Sequence, residues 1–104
     1  MICFAGCAGN RYRSDFEFAN KLAAEGLWKE AFYRWQKALP ANIGSAALHN
    51  NLAVALESLD RLPEAEQEYQ QAMKLAPGNA LIQGNYERFK KNQDKEKGKA
   101  KNEK

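Results

Sequence analysis

The chain has 104 residues, and sixteen Lys and Arg side chains against thirteen Asp and Glu give it a formal net charge of +3. Hydrophobic residues make up 44% and charged residues 28%, which is typical of a globular chain and favours a single domain. No apolar run reaches about 18 residues, which excludes a membrane-spanning helix, and the only cysteines, Cys3 and Cys7, lie too close together at one end to cross-link a fold.

Residues 1–11 form a leader in which Ala5-Gly6-Cys7 follows an apolar stretch. Small residues directly before a cysteine resemble the end of a bacterial lipoprotein signal, and the resemblance implies that Cys7 is lipidated. A signal also needs a basic segment and an apolar core of about 7–15 residues. Because neither fits before Cys7, this interpretation places the true start upstream of Met1. The alternative is a short cytosolic leader with two reduced thiols.

An internal repeat follows the leader, with a period of about 34 residues. Small and apolar residues recur at this period, and the pairs are Ala19 and Ala53, Leu22 and Leu56, Ala31 and Ala65, Trp35 and Tyr69, and Ala38 and Ala72. A period of this length is typical of stacked structural units. We therefore divide the domain, residues 12–92, into repeats at about 12–45 and 46–79 and a last helix at 80–92.

The spacing of apolar residues within each repeat predicts two helices. Phe18, Ala19 and Leu22 lie on one helical face, and the same pattern returns in the second repeat. Gly26 suits a helix end that needs a positive φ, and Pro63 suits the first turn of a helix. Two further prolines, Pro40 and Pro77, mark positions where a helix must end. The predicted fold class is therefore all-α.

The C-terminal part of the chain holds the whole positive excess. Residues 87–104 contain eight basic and four acidic side chains, whereas residues 1–86 contain eight basic and nine acidic ones. Residues 93–104 contain no large apolar side chain, so they cannot bury enough surface to offset their ordering entropy. We expect a capping helix over 80–92, with Leu81, Ile82, Tyr86 and Phe89 on its inner side, and a disordered, lysine-rich tail over 93–104.

The stretch from Tyr12 to Asn92 resembles tetratricopeptide (TPR) repeats. The second repeat carries the closest match, in Leu52, Ala53, Leu56, Ala65, Tyr69, Ala72, Leu75 and Pro77. The resemblance implies a short α-solenoid of two helix–turn–helix repeats plus a C-terminal capping helix. The first repeat departs from the family pattern by Asp15, where a large apolar residue is frequent, and by the early end of its second helix at Pro40.

In TPR proteins the first helices of the repeats line a concave groove that binds partners. The positions that match are Arg13, Phe16, Glu17, Asn20, Ala47, Asn50, Asn51, Val54, Leu81, Asn85 and Arg88. Three asparagines on one groove, Asn20, Asn51 and Asn85, could hold the backbone of an extended peptide, because a primary amide both donates and accepts hydrogen bonds. The alternative is that they bond locally between repeats. The family's carboxylate clamp is not expected, because the cationic positions hold Phe16, Leu81 and Asn85.

The sequence carries little sign of catalysis or cofactor binding. It contains no glycine-rich phosphate loop, paired metal-ligand spacing or nucleophile elbow. We interpret His49 as a buried packing residue, and the aromatic residues Trp28, Phe32, Tyr33 and Trp35 as mostly core. We therefore expect neither an enzyme nor a cofactor.

The expected function is a protein–protein interaction module that binds a partner peptide or helix in the groove. With Cys7 lipidated, the protein would be anchored in the bacterial cell envelope and scaffold an assembly there. The alternatives are a cytosolic TPR adaptor, similar to a co-chaperone, and weak nucleic-acid contact through the basic tail. Because the repeat array is short, self-association into a homo-oligomer is a further alternative.

Overall fold

The structure is a computed structural model that describes residues 15–102, with side chains up to Lys99. Arg13 and the leader with Cys7 lie outside this range. The described helices are α1 (residues 15–24), α2 (Trp28–Ala38), a short 3₁₀ turn (Leu39–Ala41), α3 (Ala46–Ser58), α4 (Leu62–Leu75) and α5 (Ala80–Asn102). The described residues contain no β-strand, so the all-α prediction is confirmed over this part of the chain.

Helices α1 and α2 form a first hairpin, and α3 and α4 form a second. The turns that join the two helices of each hairpin have the same backbone geometry. Gly26 ends the turn after α1 with φ of 81°, and Asp60, one repeat period later, has φ of 61°. In both turns the next residue donates its N–H to the carbonyl five residues earlier, at 2.9 Å after Gly26 and 2.8 Å after Asp60. This bond with a left-handed residue is a Schellman motif. The period of the sequence is therefore also a period of the backbone.

The starts of α3 and α5 repeat in the same way. The Leu48 N–H donates to Ser45 Oγ at 3.2 Å, and the Ile82 N–H donates to Asn79 Oδ1 at 3.1 Å. Both bonds satisfy an amide that has no partner inside the helix, which is the role of an N-cap. Ser45 and Asn79 are again separated by one repeat period, so both helices begin at equivalent positions.

The buried apolar residues form two clusters that meet at α3. The first cluster joins α1, α2 and α3 through Ala19, Ala31, Trp35, Leu48, Leu52 and Ala55. The second joins α3, α4 and α5 through Ala53, Leu56, Ala65, Tyr69 and Phe89. Because α3 has buried residues on two sides, each hairpin covers an apolar face that its neighbour leaves open.

His49 links the start of α3 to α4 from a buried position. The residue is 4% exposed, with Nδ1 2.6 Å from Glu68 Oε2 and Nε2 2.8 Å from the Ile43 carbonyl oxygen. A carbonyl can only accept, so Nε2 donates to Ile43. The prediction of a buried packing histidine is confirmed, and both ring nitrogens have a partner.

The last helix corrects two expectations. Helix α5 does not end at Asn92 but continues to Asn102, so the predicted disordered tail is wrong for residues 93–102. This stretch lacks proline and β-branched residues, and its Lys, Glu, Gln and Ala residues favour helix without any burial, although Gly98, Asp94 and Asn102 do not. Residues 94–99 are exposed, as expected. Leu81 is also 69% exposed and does not belong to the inner side, which Ile82, Tyr86 and Phe89 provide.

Proline ends the second helix of the first repeat as predicted, with one refinement. Helix α2 ends at Ala38, and Pro40 lies in the 3₁₀ turn that follows. No helix in the described part of the chain is both long and apolar enough to cross a membrane.

Candidate partner-binding surface

The predicted groove residues of α1 and α3 differ in exposure. On α1, Glu17 and Asn20 are exposed and Phe16 is half-buried. On α3, Ala47 is exposed, Asn51 and Val54 are half-buried, and Asn50 is buried. On α5, Leu81 and Arg88 are exposed and Asn85 is half-buried. The accessible groove residues therefore combine amides and charges with partly covered apolar side chains.

Three of the predicted residues form a polar link between α3 and α5. Asn85 Nδ2 donates to Asn50 Oδ1 at 3.1 Å, and Arg88 Nη1 donates to Asn85 Oδ1 at 3.2 Å. The amide of Asn85 is thus used on both its nitrogen and its oxygen. For Asn50 and Asn85 the structure favours local bonding between repeats over peptide binding.

Glu57 joins this link, although the sequence analysis did not select it. Its Oε1 accepts a hydrogen bond from the Tyr69 hydroxyl at 2.8 Å and lies 3.4 Å from Arg88 Nη2. A helical spacing contained the signal, because Asn50, Val54 and Glu57 are separated by four and three residues and share one face of α3. Glu57 therefore extends the predicted groove toward the second apolar cluster.

The phenol of Tyr69 is held in its neutral form in this environment. Burial of the fully covered side chain, and then its hydrogen bond to Glu57, raise the pKa of Tyr69 well above the usual value for tyrosine. The hydroxyl is therefore a fixed donor at neutral pH, and Glu57 is its acceptor.

The amides of Asn20 and Asn51 are in a different situation. Neither side chain has a hydrogen-bond partner among the described residues. Asn20 is exposed and Asn51 half-exposed, so both amides can exchange water for a ligand at low cost. The four asparagines thus divide into a structural pair, Asn50 and Asn85, and an open pair, Asn20 and Asn51.

A separate cleft lies between α2 and the turn that joins α3 to α4. It has a volume of about 800 Å³, and Phe32, Tyr33 and Arg61 are among the residues that line it. Arg61 covers one face of the Phe32 ring at 5.0 Å, and Lys37 Nζ lies 4.6 Å from the centroid of Tyr33. Each of these two rings therefore has a cation near one of its faces.

The aromatic residues of α2 otherwise follow the core interpretation. Trp35 is buried, and Trp28 and Phe32 pack against the core from partly covered positions, whereas Tyr33 is 57% exposed.

Within residues 15–102, no group of three or more His, Cys, Asp or Glu side chains could hold a metal ion. Comparison with known proteins finds no family model that matches the chain, and no curated protein matches it either.

Proposed function

We propose that this chain is a TPR-type repeat protein that binds an extended polypeptide along the surface formed by α1, α3 and α5. The repeated turns at Gly26 and Asp60 and the repeated caps at Ser45 and Asn79 support this assignment. The two apolar clusters that share α3 also agree with it, because stacked hairpins bury their faces only against neighbours.

The open amide pair is the observation that carries the proposal. Asn20 and Asn51 lie on the first helices of neighbouring repeats, and neither amide has a hydrogen-bond partner in the described part of the protein. The partly covered side chains of Phe16 and Val54 lie on the same two helices and offer apolar contact. Amides for a peptide backbone and adjacent apolar surface for its side chains suit an extended polypeptide.

The test uses random peptides of about twelve residues, displayed on phage and selected on the full chain. The best selected peptide is then measured against Asn20→Ala/Asn51→Ala. We expect affinity to fall about tenfold or more, because each amide supplies at least one hydrogen bond. The matched control is Gln67→Ala/Gln71→Ala, which removes two exposed amides from α4. If the control weakens binding as much as the groove variant, or neither matters, the proposal is wrong.

We further propose that the protein is held in the bacterial envelope through lipidated Cys7 and scaffolds an assembly there. The Ala5-Gly6-Cys7 context supports this location. The test is fractionation and intact mass of the protein expressed with its own upstream DNA. A membrane-bound species that begins at Cys7 and carries lipid mass is expected. An unmodified soluble species beginning at Met1 would contradict it and leave the cytosolic adaptor.

A further inference from the structure

One face of α5 continues from the groove into the segment beyond the core. Asn85, Arg88, Asn92, Lys95 and Lys99 are separated by alternate steps of three and four residues, which places them on one side of a helix. We name these five residues the α5 row. At 1.5 Å per residue the row is about 21 Å long.

The row starts at the groove, because Asn85 bonds to Asn50 of α3 and Arg88 reaches Glu57 of α3. The core-facing residues of α5, Ile82 and Phe89, lie on a different side of the helix. The row is therefore a direct extension of the surface proposed above to bind polypeptide.

The row contains three cations and two amides but no carboxylate. Arg88, Lys95 and Lys99 are exposed, and the two lysines make no ion pair with any residue that the structure describes. Lys95 and Lys99 are four residues apart, where like charges on a helix repel each other. An anionic partner would remove this repulsion and gain charge-assisted hydrogen bonds.

We propose that the α5 row binds an acidic segment of the polypeptide that occupies the groove; this inference rests on the proposed function. The rise from Lys95 to Lys99 is about 6 Å, close to the roughly 6.6 Å between alternate residues of an extended chain. Two Asp or Glu residues separated by one position would therefore face Lys95 and Lys99. The amide of Asn92 lies between Arg88 and Lys95 and can bond the peptide backbone.

The carboxylates of α5 favour a narrow partner. Asp94 is exposed on the side of the helix opposite the row, whereas the exposed Glu96 lies at the edge of the row, four residues after Asn92 and three before Lys99. A bilayer or a nucleic-acid duplex broad enough to cover the whole face would meet the negative charge of Glu96. A single extended chain centred on the three cations passes to one side of it.

The experiment titrates the full chain with a fluorescent peptide of about twelve residues that has Glu at every second position. A peptide with Gln in place of Glu is the comparison. We expect Lys95→Gln/Lys99→Gln to weaken binding of the Glu peptide about 3- to 20-fold and to flatten its salt dependence. The control Lys29→Gln/Lys97→Gln removes the same charge from α2 and from another face of α5, and should leave affinity within about twofold. Circular dichroism checks that all variants keep their helices.

Several results would overturn the inference. These are equal affinity for the Glu and Gln peptides, equal losses of affinity in the two lysine variants, or tighter binding to oligo-dT or to phosphatidylserine vesicles than to the Glu peptide.

The peptide selected on phage separates this inference from the proposed function. If Asn20→Ala/Asn51→Ala weakens binding of that peptide, while Lys95→Gln/Lys99→Gln leaves the affinity of the Glu peptide unchanged, the inference fails and the groove proposal stands. If Lys95→Gln/Lys99→Gln weakens binding of the Glu peptide, but Asn20→Ala/Asn51→Ala leaves the affinity of the selected peptide unchanged, the groove proposal fails. The claim that one polypeptide occupies both surfaces then fails with it.

Discussion

The two hairpins share one backbone design but differ in how their equivalent aromatic side chains are satisfied. Trp35 in α2 and Tyr69 in α4 are separated by one repeat period, and both are buried, at 3% and 0% exposure. Tyr69 donates its hydroxyl to Glu57 at 2.8 Å. Trp35 Nε1 has no hydrogen-bond partner among the described residues, because the position equivalent to Glu57 is held by Ala23.

This difference shows what a repeated fold does and does not impose. Both positions must fill the same space between helices, and both hold a large ring. A hydrogen-bond partner for the polar atom of the ring is not part of that requirement. Of the two rings, only Tyr69 has such a partner among the described residues. Because Glu57 also contacts Arg88, the hydrogen bond of Tyr69 connects the second apolar cluster to the surface proposed to bind a partner. The first hairpin lacks this connection among the described residues.

The largest expected effect comes from removing the ring of the second hairpin. Tyr69 stacks at 5.7 Å on Tyr86 and packs at 5.3 Å against Phe89. We expect Tyr69→Ala to lower the free energy of unfolding by about 3–5 kcal/mol, since it leaves a cavity and removes the hydrogen bond from the hydroxyl to Glu57. Trp35→Ala should cost less, because it also removes an unsatisfied N–H. Urea denaturation measures both, and an equal or larger loss in Trp35→Ala would contradict the asymmetry.

A second pair of substitutions isolates the polar groups. We expect Tyr69→Phe to cost about 1.5–3 kcal/mol, because it removes a hydrogen bond to a carboxylate. Trp35→Phe should stay within about 1 kcal/mol of the parent protein, since the lost volume is offset by removal of the unpaired N–H. Urea midpoints with unchanged slopes provide the measurement. If Tyr69→Phe is neutral, Glu57 does not stabilise the folded hydroxyl.

Alkaline pH should weaken the second hairpin through the same hydroxyl. Burial and Glu57 raise the pKa of Tyr69 in the folded protein, whereas in the unfolded chain it is about 10. Below pH 10 both states hold the proton and the stabilisation is complete. Above it the unfolded state ionises first, so the free energy of unfolding falls by up to about 1.4 kcal/mol per pH unit. Tyr69→Phe should lack this component, and parallel pH profiles for the two proteins would contradict it.

The helix periodicity and the repeat period were sufficient to predict the all-α class and the approximate helix limits over the described residues. Gly26 and Asp60 show why, since a period in side-chain size became a period in backbone angles. The length of α5 was not predicted, because burial was taken as the condition for helix, whereas the helix continues over residues 93–102, where Lys, Glu, Gln and Ala favour it in spite of Gly98.

The contacts of the candidate surface were harder to predict from the sequence than the helices were. Family positions selected Asn50 and Asn85 together with Asn20 and Asn51, but only three-dimensional contacts distinguish a bonded amide from an open one. Glu57 was missed because a single acidic residue on a helix is ordinarily a solvated one. Its role depends on Tyr69 from α4 and Arg88 from α5, which no local pattern brings together.

The smallest effects should come from the paired turns. Gly26 has no heavy atom within 4 Å of where a Cβ would stand, so only its φ of 81° opposes a side chain. We expect Gly26→Ala to cost about 1 kcal/mol, the left-handed penalty less the gain from a stiffer unfolded chain.

Asp60→Gly at the equivalent turn is the matched reverse change. Relief of its left-handed φ is offset by the greater entropy of glycine in the unfolded chain, so the variant should lie within about 0.5 kcal/mol of the parent. Thermal denaturation of both variants makes the comparison. If Gly26→Ala is as neutral as Asp60→Gly, then the first turn does not require the left-handed backbone that makes it equivalent to the second.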